Sequence, residues 1–501
     1  MKKTLFFSLL FIILAAVSPI IGNKIVTYYV DQEIIAVKEK GITLNFKSET
    51  PGYMYTSKQY EFILTDVDAF AKYLTEYGAG LLPPYTDELL KSIVFRLDMK
   101  YHNIPFLESI SIDIYPMYIS DKIMDKLKGS DNVFFKNFEN FITRQGLLYH
   151  IDYDLLSENY KGHIKNIDYN ERGYDGSNII LTLHNAIFNG SGSFKAPKSL
   201  KTNIEKIYLQ TNDTSKEVSI EINRLGIQSS EGMDKSVEVI YEKSKELYDK
   251  TKEMYEESDI PEQMNDIKEE SEDTARDMYN TSMQMKSMFF KSKDKKSDEE
   301  VNVEAQNVDI NSSSQSDNQK SKNRSYFFFE SLNLKSNTQE MRMSQVVYHS
   351  SMHNIDAKAF RDLLKLMLEL KTSPSYMTIT KLKISAIEIL SKGLKVDIPE
   401  FSIANISYEG EDLGGFKLVS AVNVKEDKNL AAKMLFSPFF IVQNLDFQLN
   451  LSVSKKIYSK FVEEVPLALL ALSATNQTAT DLIYDVSFIN GNLKVNGSSV
   501  L

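Results

Sequence analysis

The chain has no cysteine and no tryptophan, and only 12 prolines and 20 glycines among 501 residues. The absence of thiols rules out a disulfide framework, a zinc–thiolate cage and a cysteine nucleophile. A chain this long buries enough apolar surface to fold without such staples. Basic residues are outnumbered, 58 against 69, for a formal net charge of −11. That balance argues against a nucleic-acid partner and against electrostatic adhesion to anionic lipid. No Gly-rich loop ending in Lys offers a phosphate cradle. The nearest approach to a nucleophile elbow, Asn189-Gly190-Ser191-Gly192-Ser193, lacks the Gly-x-Ser-x-Gly frame and reads as a hairpin turn. No catalytic residue, cofactor or metal is therefore expected.

Long hydrophobic runs are also scarce. The single one is Thr4 to Gly22, preceded by Lys2 and Lys3. A charged start followed by about 18 apolar residues is an export signal near the lower limit for a spanning helix. Ala16-Val17-Ser18 fits a cleavage site, but Pro19 obstructs it, so a retained anchor is the favoured reading. Lys2 and Lys3 keep the N-terminus cytoplasmic and send the rest of the chain across. Residues 1–22 are thus expected to be an anchor or signal, with the remainder periplasmic in a bacterial inner-membrane protein.

Beyond the leader, the dominant signal is alternation with period two. Ile42, Leu44 and Phe46 alternate with polar neighbours, as do Tyr60, Phe62 and Leu64, then Ile110, Ile112 and Ile114, then Tyr149, Ile151 and Tyr153. It returns at Val218, Ile220 and Ile222, at Phe416, Leu418, Val422 and Val424, and at Phe447, Leu449, Leu451 and Val453. Strands of this kind wet one face and bury the other. Glu409–Asp412 and Asn490–Asn492 read as tight turns, since Asn-Gly accepts positive φ at both turn positions. Helical periodicity is expected at Val67–Tyr77, Asn132–Thr143, Asp356–Lys371 and Lys456–Ala471.

One segment departs from this pattern. Glu231 to Glu300 holds 21 acidic and 12 basic residues. Val237, Ile240, Ser244, Leu247, Thr251 and Met254 step at three or four, and Met264, Ile267, Met278, Met285 and Met288 resume a weaker stripe after Pro261. The reading is a helical hairpin, followed by a disordered Ser/Asn-rich stretch from Lys291 to Ser325. The expected fold is α+β and β-dominated, with large antiparallel sheet in two parts, 23–230 and 326–501, around a helical and disordered insertion at 231–325. The seam within 233–290 offers a surface for self-association or for a partner helix.

The two ends of the chain carry a resemblance. Pro19-Ile20-Ile21-Gly22 and Thr50-Pro51-Gly52-Tyr53-Met54-Tyr55-Thr56-Ser57 stand at one end. Gly491-Asn492-Leu493-Lys494-Val495-Asn496-Gly497 stands at the other. The arrangement resembles the YdgA-like family of bacterial envelope proteins. The resemblance implies an inner-membrane anchor and a large periplasmic domain, and it brings no catalytic residues. Gly52, Asn496 and Gly497 are expected to form turns.

Other side chains have bland and sharp readings side by side. His349 and His353 would share a helical face with Asp356 as a third metal ligand, but solvated loop histidines are the expectation. His102, His150, His163 and His184 are expected at surface or edge positions of strands. Asp309-Ile310-Asn311-Ser312-Ser313 matches an extended N-glycosylation acceptor, with Asn311 in the disordered loop. The functional expectation is a non-enzymatic envelope scaffold or binding protein, offering an apolar groove to lipid or polypeptide. An assembly factor acting through the insertion and an exported hydrolase are the alternatives.

Overall fold

The computed structural model describes residues 19, 23–66 (bar 25 and 33), 69–70, 93–103, 109–119, 146–172, 177–192, 197–231, 278–316, 320–356, 375–430, 438–461 and 476–499, with isolated helical positions at Leu363, Leu366, Met367, Leu370 and Lys433. The described residues are dominated by antiparallel strands and divide into two compact units. One comprises residues up to Ser230 together with Met285–Val301; the other comprises Glu231–Gln284 and Asn302–Leu501.

In the first unit, residues 26–32 and 34–39 are helical. Strands β1 (Ile42–Pro51), β2 (Tyr55–Leu64), β3 (Ile93–His102), β4 (Ser109–Ile119), β5 (Tyr149–Asp154) and β6 (Asn159–Ile164) then pair each with the next. After β6 the chain doubles back in two broken lines. β7 (Ile167–Arg172) pairs with β8 (Asn178–His184), while β6 pairs with β9 (Ala186–Gly192). Both β8 and β9 lie along β10 (Pro197–Asn212), which pairs with β11 (Lys216–Glu231).

The alternation selects one apolar face. Phe46, Tyr60, Leu97, Ile114, Tyr149, Ile164 and Ala186 occupy a single transverse register row. The N-terminal helix covers the start of that face: Val26 and Val30 are buried against Tyr60, Leu97, Met99, Tyr101 and Ile110. Each fully buried aliphatic side chain of this kind contributes roughly 1.5–3 kcal/mol.

The second unit contains β14 (Lys320–Ser336), β15 (Glu340–Asp356), helix α1 (Tyr376–Ser391), β16 (Lys395–Tyr408), β17 (Glu411–Val424), β18 (Leu445–Ser454), helix α2 (Lys455–Phe461), β19 (Asn476–Gln477), β20 (Asp481–Ile489), β21 (Asn492–Val495) and β22 (Ser498–Ser499). Pairing runs β14–β15–β16–β17–β18–β20–β21–β22, with β19 on β20. Its turns are the expected ones. Glu409-Gly410, Asn490-Gly491 and Asn496-Gly497 all have positive φ at both residues and close two-residue hairpins.

Several expectations need correction. The stretch predicted as a weak helical stripe and a disordered tract is strand: β12 runs Met278–Asp294 and β13 runs Glu300–Ser316. Ser and Asn disfavour strands in isolation, but a neighbouring ladder on each side overrides that weak preference. Asn189–Gly192 is not a turn, since it lies within β9, flanked by Tyr160 on one side and Leu200 on the other. The glycine at 190 allows close approach, because a Cβ there would meet the Ser199 carbonyl oxygen at 2.1 Å and Tyr160 Oη at 2.3 Å. Helix α1 was not anticipated; its Thr378-Ile379-Thr380 start is rich in β-branched residues. The seam Val237–Met254 and the helix expected at Asn132–Thr143 lie outside the described residues. So does Thr4–Gly22, apart from Pro19, which is helical. Among the described residues, no helix is long and apolar enough to cross a membrane.

Candidate functional site

Left-handed backbone interrupts the strand lines at Asn185, the single residue between β8 and β9, at Arg224 in β11, at Asn307 in β13 and at Gln345 in β15, with φ of 50°, 53°, 47° and 48°; Asn354 near the end of β15 has φ 61°. In the first unit, the register sets Glu205 of β10 between Asn185 and Arg224, and Asn185 Nδ2 donates to Glu205 Oε2. In the second, Glu330 of β14 faces Gln345 of β15, and Asn307 Nδ2 donates to Glu330 Oε2. The same device thus occurs once in each unit. It continues in the second unit as a register shift between Ile403 and Ile406, beside Gly414 (φ 79°) and Gly415.

A left-handed residue turns the side-chain direction by roughly 100° instead of roughly 180°, so the strand bends and alternation resumes out of phase. The sequence carries that phase slip. Apolar residues step by three at Ile204/Ile207, Ile222/Leu225, Ala305/Val308, Phe329/Leu332, Met343/Val346 and Ile403/Ile406. The structure aligns these steps into a transverse crease within each unit. Side chains flanking it are buried, namely Ala186 and Leu225 in the first unit and Ala305, Val308, Val346 and Ile403 in the second. The apolar side chains beside the bend are therefore covered, whereas Asn185, Arg224, Asn307 and Gln345 themselves are exposed.

Away from the crease, the apolar face is covered by the N-terminal helix in the first unit but partly exposed in the second. In the second unit, Phe327, Tyr348, Phe401, Leu418, Leu451 and Tyr484 form one continuous row across six strands. All but Tyr484 keep intermediate exposure. The rings touch in series: Phe327–Tyr348 are tilted with centroids 5.7 Å apart, Tyr348–Phe401 are edge-to-face at 5.8 Å, and Phe401 is edge-to-face at 5.0 Å with Phe416 of the adjoining row. On this side of the crease in the second unit, a buried floor thus adjoins an apolar row that remains partly accessible.

The opposite face of the second unit carries a polar cluster. Ser351 Oγ lies 3.2 Å from His353 Nε2, and Asp397 Oδ2 lies 4.0 Å from the same nitrogen. Burial, reinforced by Lys322, Lys395 and Arg324, pushes His353 down to about 4, so the ring is neutral. Serine and acid meet one ring nitrogen here, whereas a proton relay needs them on opposite nitrogens. These three residues are a hydrogen-bonded network, without the geometry of a serine nucleophile.

The histidines are placed as strand residues. His349 and His353 both lie in β15, about 13 Å apart at strand rise, and not on a helical face. They are not solvated loop residues either: His349 is buried, held neutral by desolvation. Asp356 closes the same strand opposite Lys320. His102, His150, His163 and His184 all sit in strands, as expected. His150 is clamped, with Nδ1 2.6 Å from Asp113 Oδ1 and Nε2 3.4 Å from Asp152 Oδ1; the Asp113 hydrogen bond chiefly raises its pKa. Among the described residues, no three His, Asp or Glu side chains are grouped to hold a metal ion.

Asn311 is corrected as well. It lies in β13, is only 7% exposed, and donates through Nδ2 to Asp309 Oδ1 at 2.8 Å. A buried strand asparagine lacks the accessible loop that glycan transfer requires. Gly52 does sit in the β1–β2 turn, but for close approach: a Cβ there would meet the Tyr55 carbonyl oxygen at 2.5 Å. Asn496 and Gly497 form the expected turn, and Asn496 Oδ1 also accepts from Asp485 N at 2.8 Å.

No protein-family model, curated protein or solved structure matches this chain.

Proposed function

We propose that this chain is a membrane-anchored, non-enzymatic envelope protein whose creased sheet receives the acyl chain of a lipid. The observation that carries the reading is the half-exposed aromatic and aliphatic row Phe327–Tyr348–Phe401–Leu418–Leu451, set above a buried floor. In an ordinary closed core such side chains are fully buried; here they keep contact with solvent that an apolar ligand would displace. An acyl chain brings no hydrogen-bonding groups to this wall. An extended polypeptide would bring backbone N–H and C=O groups with no partner on an apolar face, at a cost of kilocalories for each. The apolar leader Thr4–Gly22 supports the reading by holding the sheet beside the lipid source.

The test is photocrosslinking of the full chain in vesicles containing a phospholipid with a diazirine near the acyl terminus, followed by peptide mapping. Labelling should fall on the Phe327, Phe401 and Leu451 strands and drop severalfold in Phe401→Ser and Leu451→Ser chains that keep wild-type circular dichroism. Labels confined to the polar face, or unchanged in both variants, would overturn the proposal. Displacement of the label by an unfolded peptide but not by fatty acid would favour a polypeptide occupant.

A further inference from the structure

Exposed apolar side chains gather at one end of the first unit. The β1–β2 turn presents Tyr53, Met54 and Tyr55 at 58%, 42% and 44% exposure, and the N-terminal helix presents Tyr28 and Tyr29 at 62% and 49%. The two groups belong to the same end of the strands. Tyr101, which faces Thr56 beside Tyr55, donates through Oη to Asn23 Oδ1 at 3.2 Å, and the same hydroxyl lies 3.2 Å from Thr27 Oγ1. The first turn of the helix is therefore pinned beside the turn that carries Tyr53–Tyr55.

That turn is a rigid platform. Buried Asn103 donates through Nδ2 to the Gly52 carbonyl at 2.6 Å, its backbone N–H reaches the Met54 carbonyl at 2.9 Å, and its Oδ1 accepts from Thr56 Oγ1 at 3.0 Å. The Lys100 ammonium lies 4.8 Å from the Tyr55 ring centroid. Asn23, in turn, directly follows the apolar run that ends at Gly22. Tyr28 and Tyr29 follow the end of that run by about two helical turns, and the Tyr53–Tyr55 turn lies beside the start of the same helix.

We propose that Tyr28, Tyr29, Tyr53, Met54 and Tyr55 form a collar that rests in the headgroup layer of the bilayer into which the leader inserts. The inference rests on the anchored reading given above. Tyrosine suits that layer, because its ring is apolar and its hydroxyl stays wet. The contact is aromatic, which reconciles it with a net charge that disfavours adhesion to anionic surfaces. It stands the near ends of β1–β6 on the membrane and directs the turn between β10 and β11 away from it, about 50 Å along strands of 16 residues.

The absence of tryptophan makes the test clean, since any introduced indole is the sole emitter of its kind. Met54→Trp and, independently, Tyr28→Trp are placed in the full chain. Thr214→Trp, on the exposed far turn, is the comparison. Each chain is reconstituted into zwitterionic phospholipid vesicles, floated on a density gradient, and titrated with nitroxide lipids labelled at headgroup or mid-bilayer depth. The near-end probes should shift to the blue and lose most of their emission to the headgroup nitroxide, with little loss to the mid-bilayer one. Thr214→Trp should lose none. Chains that float while both near-end probes stay unquenched would overturn the collar and leave the anchor standing. Equal quenching at all three positions would overturn it as nonspecific adsorption. Chains that fail to float would remove anchor and collar together.

Discussion

At the scale of single residues, the two best-defined histidines respond to pH in opposite senses. His353 is held down to about 4 by burial first and by its basic neighbours second. As pH falls below about 6.5, the unfolded chain binds a proton that folded His353 refuses. Its contribution to stability therefore drops between about 6.5 and about 4 and is level below that. The loss is on the order of 3 kcal/mol for a shift of this size. His150 is raised, chiefly by its bond to Asp113, so its contribution is full below the unfolded value near 6.5 and fades as pH climbs through the folded value. Urea midpoints should show His353→Asn regaining stability at about pH 5 relative to wild type, and His150→Gln losing more at about pH 6 than at about pH 9. Parallel pH profiles for all three chains would contradict both assignments. Neither environment was legible in the sequence, because a histidine's neighbours on a sheet come from strands remote in the chain. His150 meets Asp113 across a separation of 37 residues.

At the scale of elements, the crease is the device that most shapes the sheet. A non-glycine residue in the left-handed region costs roughly 1–2 kcal/mol in local energy, and more for a β-branched side chain. Gln345→Gly should therefore raise stability by roughly 0.5–1 kcal/mol, whereas Gln345→Val should lower it by roughly 1–2 kcal/mol. Chemical denaturation checks both signs, and stabilisation by valine would mean that the strand does not need the bend there. The strands themselves were readable: every alternating run singled out lies within a strand, from Ile42–Phe46 in β1 to Phe447–Val453 in β18. The phase slip was equally present, as pairs such as Phe329/Leu332 and Met343/Val346. It looks like noise in a single strand and acquires meaning only when neighbouring strands place the slips side by side. Helix α1 was hidden for a different reason. Its Thr and Ile residues favour strands, and Ser375 supplies the cap, accepting from Thr378 N at 3.0 Å.

At the scale of the whole molecule, the acidic segment changes its meaning. Only 232–277 of it remains outside the described residues, since the long strand β12 begins at Met278. Within the first unit, Asn223 Nδ2 donates to Ser287 Oγ at 3.2 Å and Lys295 N to the Ser215 carbonyl at 2.8 Å, so β11 and Met285–Asp294 run alongside each other. The chain thus leaves one strand of a hairpin and returns on its mate. Replacing 232–277 by a short Asn-Gly turn should leave the far-ultraviolet circular dichroism strand signal and the urea midpoint of the protein unchanged. Collapse of either would make that segment an integral part of the fold. If folding persists and lipid crosslinking persists with it, the assembly-factor alternative loses its remaining surface.

Composition and alternation by themselves determined a thiol-free, strand-dominated chain with tight Asn-Gly turns, because side-chain period and turn chemistry are local properties. They also set the leader apart, through one uninterrupted apolar run. Tertiary structure alone decided that Asn311 is buried, that Gly190 lies under a tyrosine ring, and that the phase slips join into a crease. Those outcomes depend on which strand lies beside which, and the pairing energy that settles it is spread over residues far apart in the chain.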